Sequence, residues 1–168
     1  MELTPDELAR RVAAGHSFDN HVIRDGQFKN AALGPVIPIE TREDLQKHVA
    51  DVVKSKETLC IPAHPDRATW RHAEVFYHEP SNTMVVVPLN PAHEATAYRP
   101  KNGKLWFDKK VHEVQLLEDK FLVVCHGIDE LRRVIEEDRA IAQEEERLLK
   151  IIEERERKAR EEGKGRSK

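Results

Sequence analysis

Thr96, Tyr98 and Arg99 fall within one short stretch, Glu94-Ala95-Thr96-Ala97-Tyr98-Arg99-Pro100. If that stretch is a strand, Thr96, Tyr98 and Pro100 share one face, and Ala95, Ala97 and Arg99 the other. A hydroxyl, a phenol and a guanidinium near one sheet edge are the donor types that hold a phosphate. His21, close to the N-terminus, adds an imidazole whose ordinary pKa of about 6.5 suits proton transfer. RNA cleavage without a metal needs these parts. A base takes the 2′-OH proton, an acid protonates the leaving 5′-oxygen, and cationic or hydroxyl donors hold the phosphorane between them. A basic run follows in Arg99, Lys101, Lys104, Lys109 and Lys110, interrupted by Asp108.

Other chemistries are less well served. Nine histidines invite a metal, but His64, His72 and His78 have neither paired i,i+4 spacing nor a Cys-x-x-Cys beside them, so no zinc motif and no cofactor is expected. There is no G-x-S-x-G elbow for a nucleophilic serine. The only glycine-rich run is at the extreme C-terminus, so no loop cradles phosphates. Cys60 and Cys125 sit far apart in apolar surroundings and read as buried free thiols, with a disulfide left open. The formal charge of −3 over 168 residues argues against a protein that coats nucleic acid. The first residues, MELTPDELARR, hold no apolar signal segment, and no run reaches membrane-spanning length. The expected compartment is the cytoplasm.

The elements that must position these residues read as helices first and strands afterwards, an α+β class. A helix is expected over Pro5–Ala14, with Thr4 as N-cap, proline at the first position and Glu7 completing a capping box. One or two helical turns follow, carrying Phe18 and Val22 inward with His21 beside them. A second helix, Arg42–Lys54, is capped by Thr41 with Asp44 at the third position. Its apolar stripe is Leu45, His48, Val49, Val52 and Val53. Strands are expected at Ala73–His78, Thr83–Val87, Ala95–Tyr98, Lys104–Phe107 and Lys120–Val124, joined as antiparallel hairpins and separated by proline, asparagine and glycine turns.

From Asp129 to about Glu162 the chain lacks proline and glycine and is dominated by Glu, Arg and Lys. Ile128, Leu131, Ile135, Ala142, Leu149 and Ile152 approximate a heptad seam that Asp138 and Glu145 interrupt. The plainer reading is one charged helix, braced by i,i+4 pairs such as Glu146–Lys150, that packs only its first turns. The alternative is a homodimerising or partner-binding coiled coil. The domain plan is therefore an α+β domain over residues 1–126, a long charged helix over 127–162 and a disordered basic tail over 163–168.

A resemblance joins several of these segments. Ser17-Phe18-Asp19-Asn20-His21-Val22, then Gly26-Gln27-Phe28, then Thr41 to Val49, is similar to the start of the C-terminal toxin domains of bacterial contact-dependent and other polymorphic toxins. Those domains also carry a hairpin like Val75–Val87 and a small-Thr-aromatic-Arg-Pro motif like Thr96 to Pro100. They close on a Lys/Arg-Asn-Gly turn and an aromatic strand like Leu105-Trp106-Phe107. The likeness spans His16 to Phe107 and leaves out the final helix.

That group resembles the barnase, EndoU, colicin and RelE superfamily of small ribonucleases. The resemblance implies a metal-independent endoribonuclease acting on tRNA or another small RNA. It makes His21 the general base or acid, and gives Thr96 and Arg99 the scissile phosphate. Tyr98, Lys101, Lys104, Lys109 and Lys110 are then the expected substrate contacts. An immunity protein is left open as a partner, and no membrane is implicated. The family's Gly-Arg-Thr context before the hairpin is missing. Arg71 or His72 is the expected stand-in for the second catalytic group, and without one the chain is a non-cleaving RNA-binding descendant. Each residue also has a plainer role. His21 can brace a short helix, Thr96 form a strand, Arg99 pair with a surface carboxylate, and Tyr98 and Trp106 pack against the sheet.

Overall fold

The N-terminal helices form where their caps dictate. The computed structural model describes residues 2–63, 73–115 and 124–165. Helix α1 is Pro5–Ala14. Its N-cap Thr4 accepts from the Glu7 N–H at 3.2 Å, while the Glu7 carboxylate accepts from the Thr4 N–H at 2.9 Å. Helix α2 is Arg42–Lys54, with the same reciprocal box between Thr41 and Asp44. Each cap stabilises its helix by about 1 kcal/mol. Both helices have the bounds expected from the sequence.

Between them lie a π-helical segment, Phe18–Arg24, and a 3-10 turn, Gln27–Lys29. Val22 and Phe28 point inward and are buried, whereas Phe18 is half-buried beneath the Arg42 guanidinium, 5.2 Å from its ring centroid. Arg42 also donates to the carbonyls of Ala13 and Gly15 and pairs with Asp19 at 2.8 Å. One side chain thus satisfies the open C-terminus of α1 and fixes the start of the segment that carries His21.

Five strands form one antiparallel sheet: β1 Thr58–Ile61, β2 Ala73–His78, β3 Thr83–Pro88, β4 Thr96–Tyr98 and β5 Cys125–His126, in the order β4-β3-β2-β1-β5. The expected hairpin strands and the strand before Arg99 are present. The four-residue β1 and the two-residue β5 were not expected. The strand expected at Lys120–Val124 falls outside the described residues except for Val124. Cys60 and Cys125 are free, buried and directly opposite each other in the β1–β5 register.

The register fixes which side chains share a face. Leu59, Ile61, Val75, Tyr77, Met84, Val86, Thr96 and Tyr98 lie on one side. Cys60, Phe76, Thr83, Val85 and Ala97 lie on the other. The second side packs against α2: His48 Nε2 lies 2.9 Å from Thr83 Oγ1, and the Thr58 hydroxyl donates to the Val52 carbonyl.

The first side is covered by an element that the sequence reading assigned differently. Lys104–Phe107 is not a strand but the start of helix α3, Lys104–Gln115. Phe107 and Val114, seven residues apart, are buried, with Trp106 and Val111 partly buried beside them. Phe107 stacks on Tyr77 with ring centroids 5.9 Å apart. An open sheet face needs an apolar cover, and only a helical period brings these residues onto it.

Gly127 begins helix α4, Gly127–Gly165. It has φ 81, and a Cβ there would lie 2.9 Å from the Ser55 carbonyl oxygen. Its first turns bury Ile128 and Leu131, and Arg132 pairs with the buried Glu74. The chain divides into two compact units, Met1–Arg132 and Arg133–Lys168. The second is helical as far as Gly165, so the first residues of the expected disordered tail belong to the helix. Among the described residues no helix is long and apolar enough to cross a membrane.

Candidate functional site

Strand β4 is a sheet edge, and its outward N–H groups would be exposed to pairing with other chains. Side chains cover them instead. The Ala97 N–H donates to Ser17 Oγ at 2.9 Å, and the Arg99 N–H donates to Gln27 Oε1 at 2.8 Å. These two bonds lay the segment Ser17–Gln27 along β4, and His21 lies between the two clamps. Its ring stands 5.9 Å from the Tyr98 ring and 5.5 Å from the His16 ring, centroid to centroid.

Different groups hold the two imidazoles. His16 Nδ1 is hydrogen-bonded to the Glu94 carboxylate. A carboxylate only accepts, so Nδ1 carries the proton and Nε2 keeps its lone pair in the neutral ring. Glu94 is kept in reach by Arg11, which donates to the carbonyls of Pro88, Asn90 and His93 and so ties the β3–β4 loop to α1.

His21 is the reverse. The Arg99 N–H can bond only the amide oxygen of Gln27, which leaves Gln27 Nε2 facing His21 Nδ1 at 3.3 Å. An amide nitrogen only donates, so Nδ1 accepts and Nε2 carries the proton. The Asp25 carboxylate, 3.5 Å from the same Nδ1, is placed to receive a second N–H when the ring is protonated. His21 Nε2 makes no hydrogen bond among the described residues, and the His21 side chain is 21% exposed. Burial lowers the His21 pKa, the charge of His16 lowers it further, and Asp25 partly opposes both.

Tyr98 accepts a hydrogen bond from Trp106 Nε1 at 2.8 Å, so its own hydroxyl proton remains free to donate. Burial raises its pKa and keeps it protonated. Thr96 shares the Tyr98 face of β4, and its hydroxyl makes no hydrogen bond among the described residues. Lys109 and Lys110 place their ammonium groups 5.7 and 4.6 Å from the Trp106 ring centroid, at i+3 and i+4 along α3. His16, His21, Tyr98, Trp106 and the two lysines thus make a continuous strip with imidazole at one end and cationic aromatic surface at the other.

Arg99 is not part of that strip. It lies on the opposite face of β4 and is 2% exposed. Its guanidinium donates to the carbonyls of Gln27 and Pro35 and lies 5.1 Å from the Phe28 ring centroid, with no carboxylate partner among the described residues. The face opposite Thr96 and Tyr98 is the one that packs against α2, and desolvation there lowers the Arg99 pKa. Its side chain braces the turn at Gln27 instead of meeting a phosphate, although its backbone N–H orients Gln27.

Lys101 and Lys104 are exposed, in the turn before α3 and at its first residue. Arg71 and His72 lie outside the described residues. His16, Gln27 and Glu94 were not singled out from the sequence; the one available signal was the five-residue spacing of His16 and His21, which a π-helical turn brings onto one side.

Two further features lie apart from the strip. His48, Thr83, Ser81 and His78 form a hydrogen-bonded chain through the α2 side of the sheet, with links of 2.9, 2.8 and 2.7 Å. A hollow of about 290 Å³ beside α1 and α2 is lined by Asp6, Glu43, Gln46, Lys47, Ala50, Asp51 and Lys54. Among the described residues, no three His, Cys, Asp or Glu side chains gather as metal ligands would. No family model, no curated protein and no solved structure matches the chain.

Proposed function

We propose that the protein is a metal-independent endoribonuclease of bacterial toxin type, cutting tRNA or another small RNA by 2′-OH transesterification. The observation that carries this reading is the pair of neighbouring imidazoles held in opposite tautomers, His16 by Glu94 and His21 by Gln27. Transesterification needs one imidazole lone pair to take a proton and one imidazolium N–H to give one. His16 Nε2, with its lone pair, takes the proton from the 2′-OH. That oxygen attacks phosphorus, forming the 2′,3′-cyclic phosphate, and the bond to the 5′-oxygen breaks. His21 in its imidazolium form passes the Nε2 proton to the departing oxygen.

Tyr98 and Thr96 supply hydroxyl donors for the non-bridging oxygens. Trp106 flanked by Lys109 and Lys110 offers a stacking and charge platform for an adjacent nucleotide. The family resemblance of His16 to Phe107 supports the toxin assignment, an immunity protein as partner and the cytoplasm of a target cell as the place of action.

The test is cleavage of tRNA by the full chain in EDTA, with products ending in a 2′,3′-cyclic phosphate. His16→Ala and His21→Ala are each expected to slow cleavage by about 10²–10⁴. Wild-type protein that leaves every RNA intact, or variants that cut at the wild-type rate, would remove the proposal. The burial of Arg99 favours a second reading, an RNA-binding protein without cleavage, because it withdraws one expected phosphate ligand. Salt-sensitive binding of RNA that stays intact would select it.

A further inference from the structure

From Glu136 to Gly165 every residue of α4 except Ile151 is exposed. The helix does not need an apolar stripe to exist, because pairs such as Arg147–Glu144 and Lys150–Glu146, at 2.6 and 3.0 Å, support it locally. Yet Ile141, Leu148, Leu149 and Ile152 are 58%, 46%, 59% and 50% exposed. Large aliphatic side chains gathered within about three turns of one helix mark a surface that another molecule covers.

The seam that contains three of them is Ile141, Glu145, Leu148, Ile152, Arg155 and Ala159, in alternating steps of four and three residues. Read outward from Lys150, this seam is complementary to its own reverse. Leu148 mirrors Ile152, Glu145 mirrors Arg155, and Ile141 mirrors Ala159. The flanking positions agree, since Glu144 meets Lys158 while Leu149 and Ile151 each meet their own copy near the axis. A parallel pairing would instead set Glu145 against Glu145 and Arg155 against Arg155 in the seam. One layer further out Asp138 faces Glu162, which ends the paired stretch at Ile141 and Ala159.

We infer that α4 joins two copies of this chain in a two-fold antiparallel helix pair, with Glu145 of each copy bonded to Arg155 of the other. The paired length is about 27 Å at ~1.5 Å per residue, a short seam by coiled-coil standards. Association is therefore weak and concentration-dependent. It is independent of the proposed ribonuclease activity.

Sedimentation of the full chain over a concentration series tests this directly. The mass is expected to climb from 19.4 kDa toward twice that value. Glu145→Arg and Arg155→Glu should each weaken association roughly tenfold or more, since each puts like charges across the seam. The double exchange should restore it. All these positions are exposed, so an unchanged circular dichroism spectrum certifies the fold of each variant. Orientation is read by cross-linking: Ile141→Cys mixed with Ala159→Cys should join, and Ile141→Cys alone should not. A monomer at every concentration, single exchanges without effect, a double exchange that fails to restore the dimer, or efficient joining of Ile141→Cys to itself would overturn the inference.

Discussion

Replacing Gln27 by glutamate reverses the polarity of the hydrogen bond at His21 without changing side-chain length. One carboxylate oxygen keeps the 2.8 Å bond from the Arg99 N–H, and the other takes the place of the amide nitrogen 3.3 Å from His21 Nδ1. Because a carboxylate cannot donate, the neutral ring must move its proton from Nε2 to Nδ1, and the imidazolium gains a charge-assisted bond. Such a bond is worth about 1.5–3 kcal/mol. At about 1.4 kcal/mol per pH unit, that raises the titration midpoint by about 1–2 pH units. In the wild type the midpoint lies below 6.5, lowered first by burial and then by His16. Long-range ¹⁵N–¹H correlation of the ring is the assay. It should report an Nε2–H tautomer in the wild type and an Nδ1–H tautomer, with the higher midpoint, in Gln27→Glu. The alkaline limb of RNA cleavage should move up by the same amount, because His21 acts in its protonated form. An unchanged tautomer and midpoint in the variant would refute the hydrogen-bond argument whether or not the protein cuts RNA.

Stability should fall with acid through His48, whose pKa burial and the charge of Arg99 lower to about 4. Unfolded, the same group titrates near 6.5, so the unfolded chain binds a proton that the folded chain refuses; urea melts should lose up to ~3 kcal/mol between pH 6.5 and 4. His48→Gln should flatten that part of the profile, and an unchanged slope would contradict it. Arg99→Met should destabilise the fold by roughly 3 kcal/mol, since it strips the charged donor from the Gln27 and Pro35 carbonyls. Turnover per folded molecule should stay constant, whereas loss of turnover at full stability would return Arg99 to the site. Ser17→Ala leaves the buried Ala97 N–H without an acceptor. Hydrogen exchange at Ala97 should speed up and stability drop by about 1–3 kcal/mol; unaltered protection there would rule out the clamp.

Several features were legible from residue order because their causes are local. Thr4 with Glu7 and Thr41 with Asp44 set the helix starts through bonds spanning three residues. Alternation over Ala73–His78 and Thr83–Pro88 set the central hairpin, and the same alternation put Arg99 opposite Thr96 and Tyr98. It did not say what would cover each face. Lys104–Phe107 misled because an Asn-Gly turn followed by aromatics suits a strand as well as a helix. The stack of Phe107 on Tyr77, on a face that exists only once β1, β2 and β3 have paired, decides between them.

The candidate site shows the same division. The sequence supplied His21, Thr96 and Tyr98 as residue types. Tertiary structure buried Arg99, recruited His16, and brought up Glu94 and the Arg99 N–H from 78 and 72 positions along the chain. Where an imidazole holds its proton depends on the atom a few ångströms away. For both rings the chain fold sets that atom: directly as Glu94 for His16, and for His21 through the distant N–H that turns the nearby Gln27 amide.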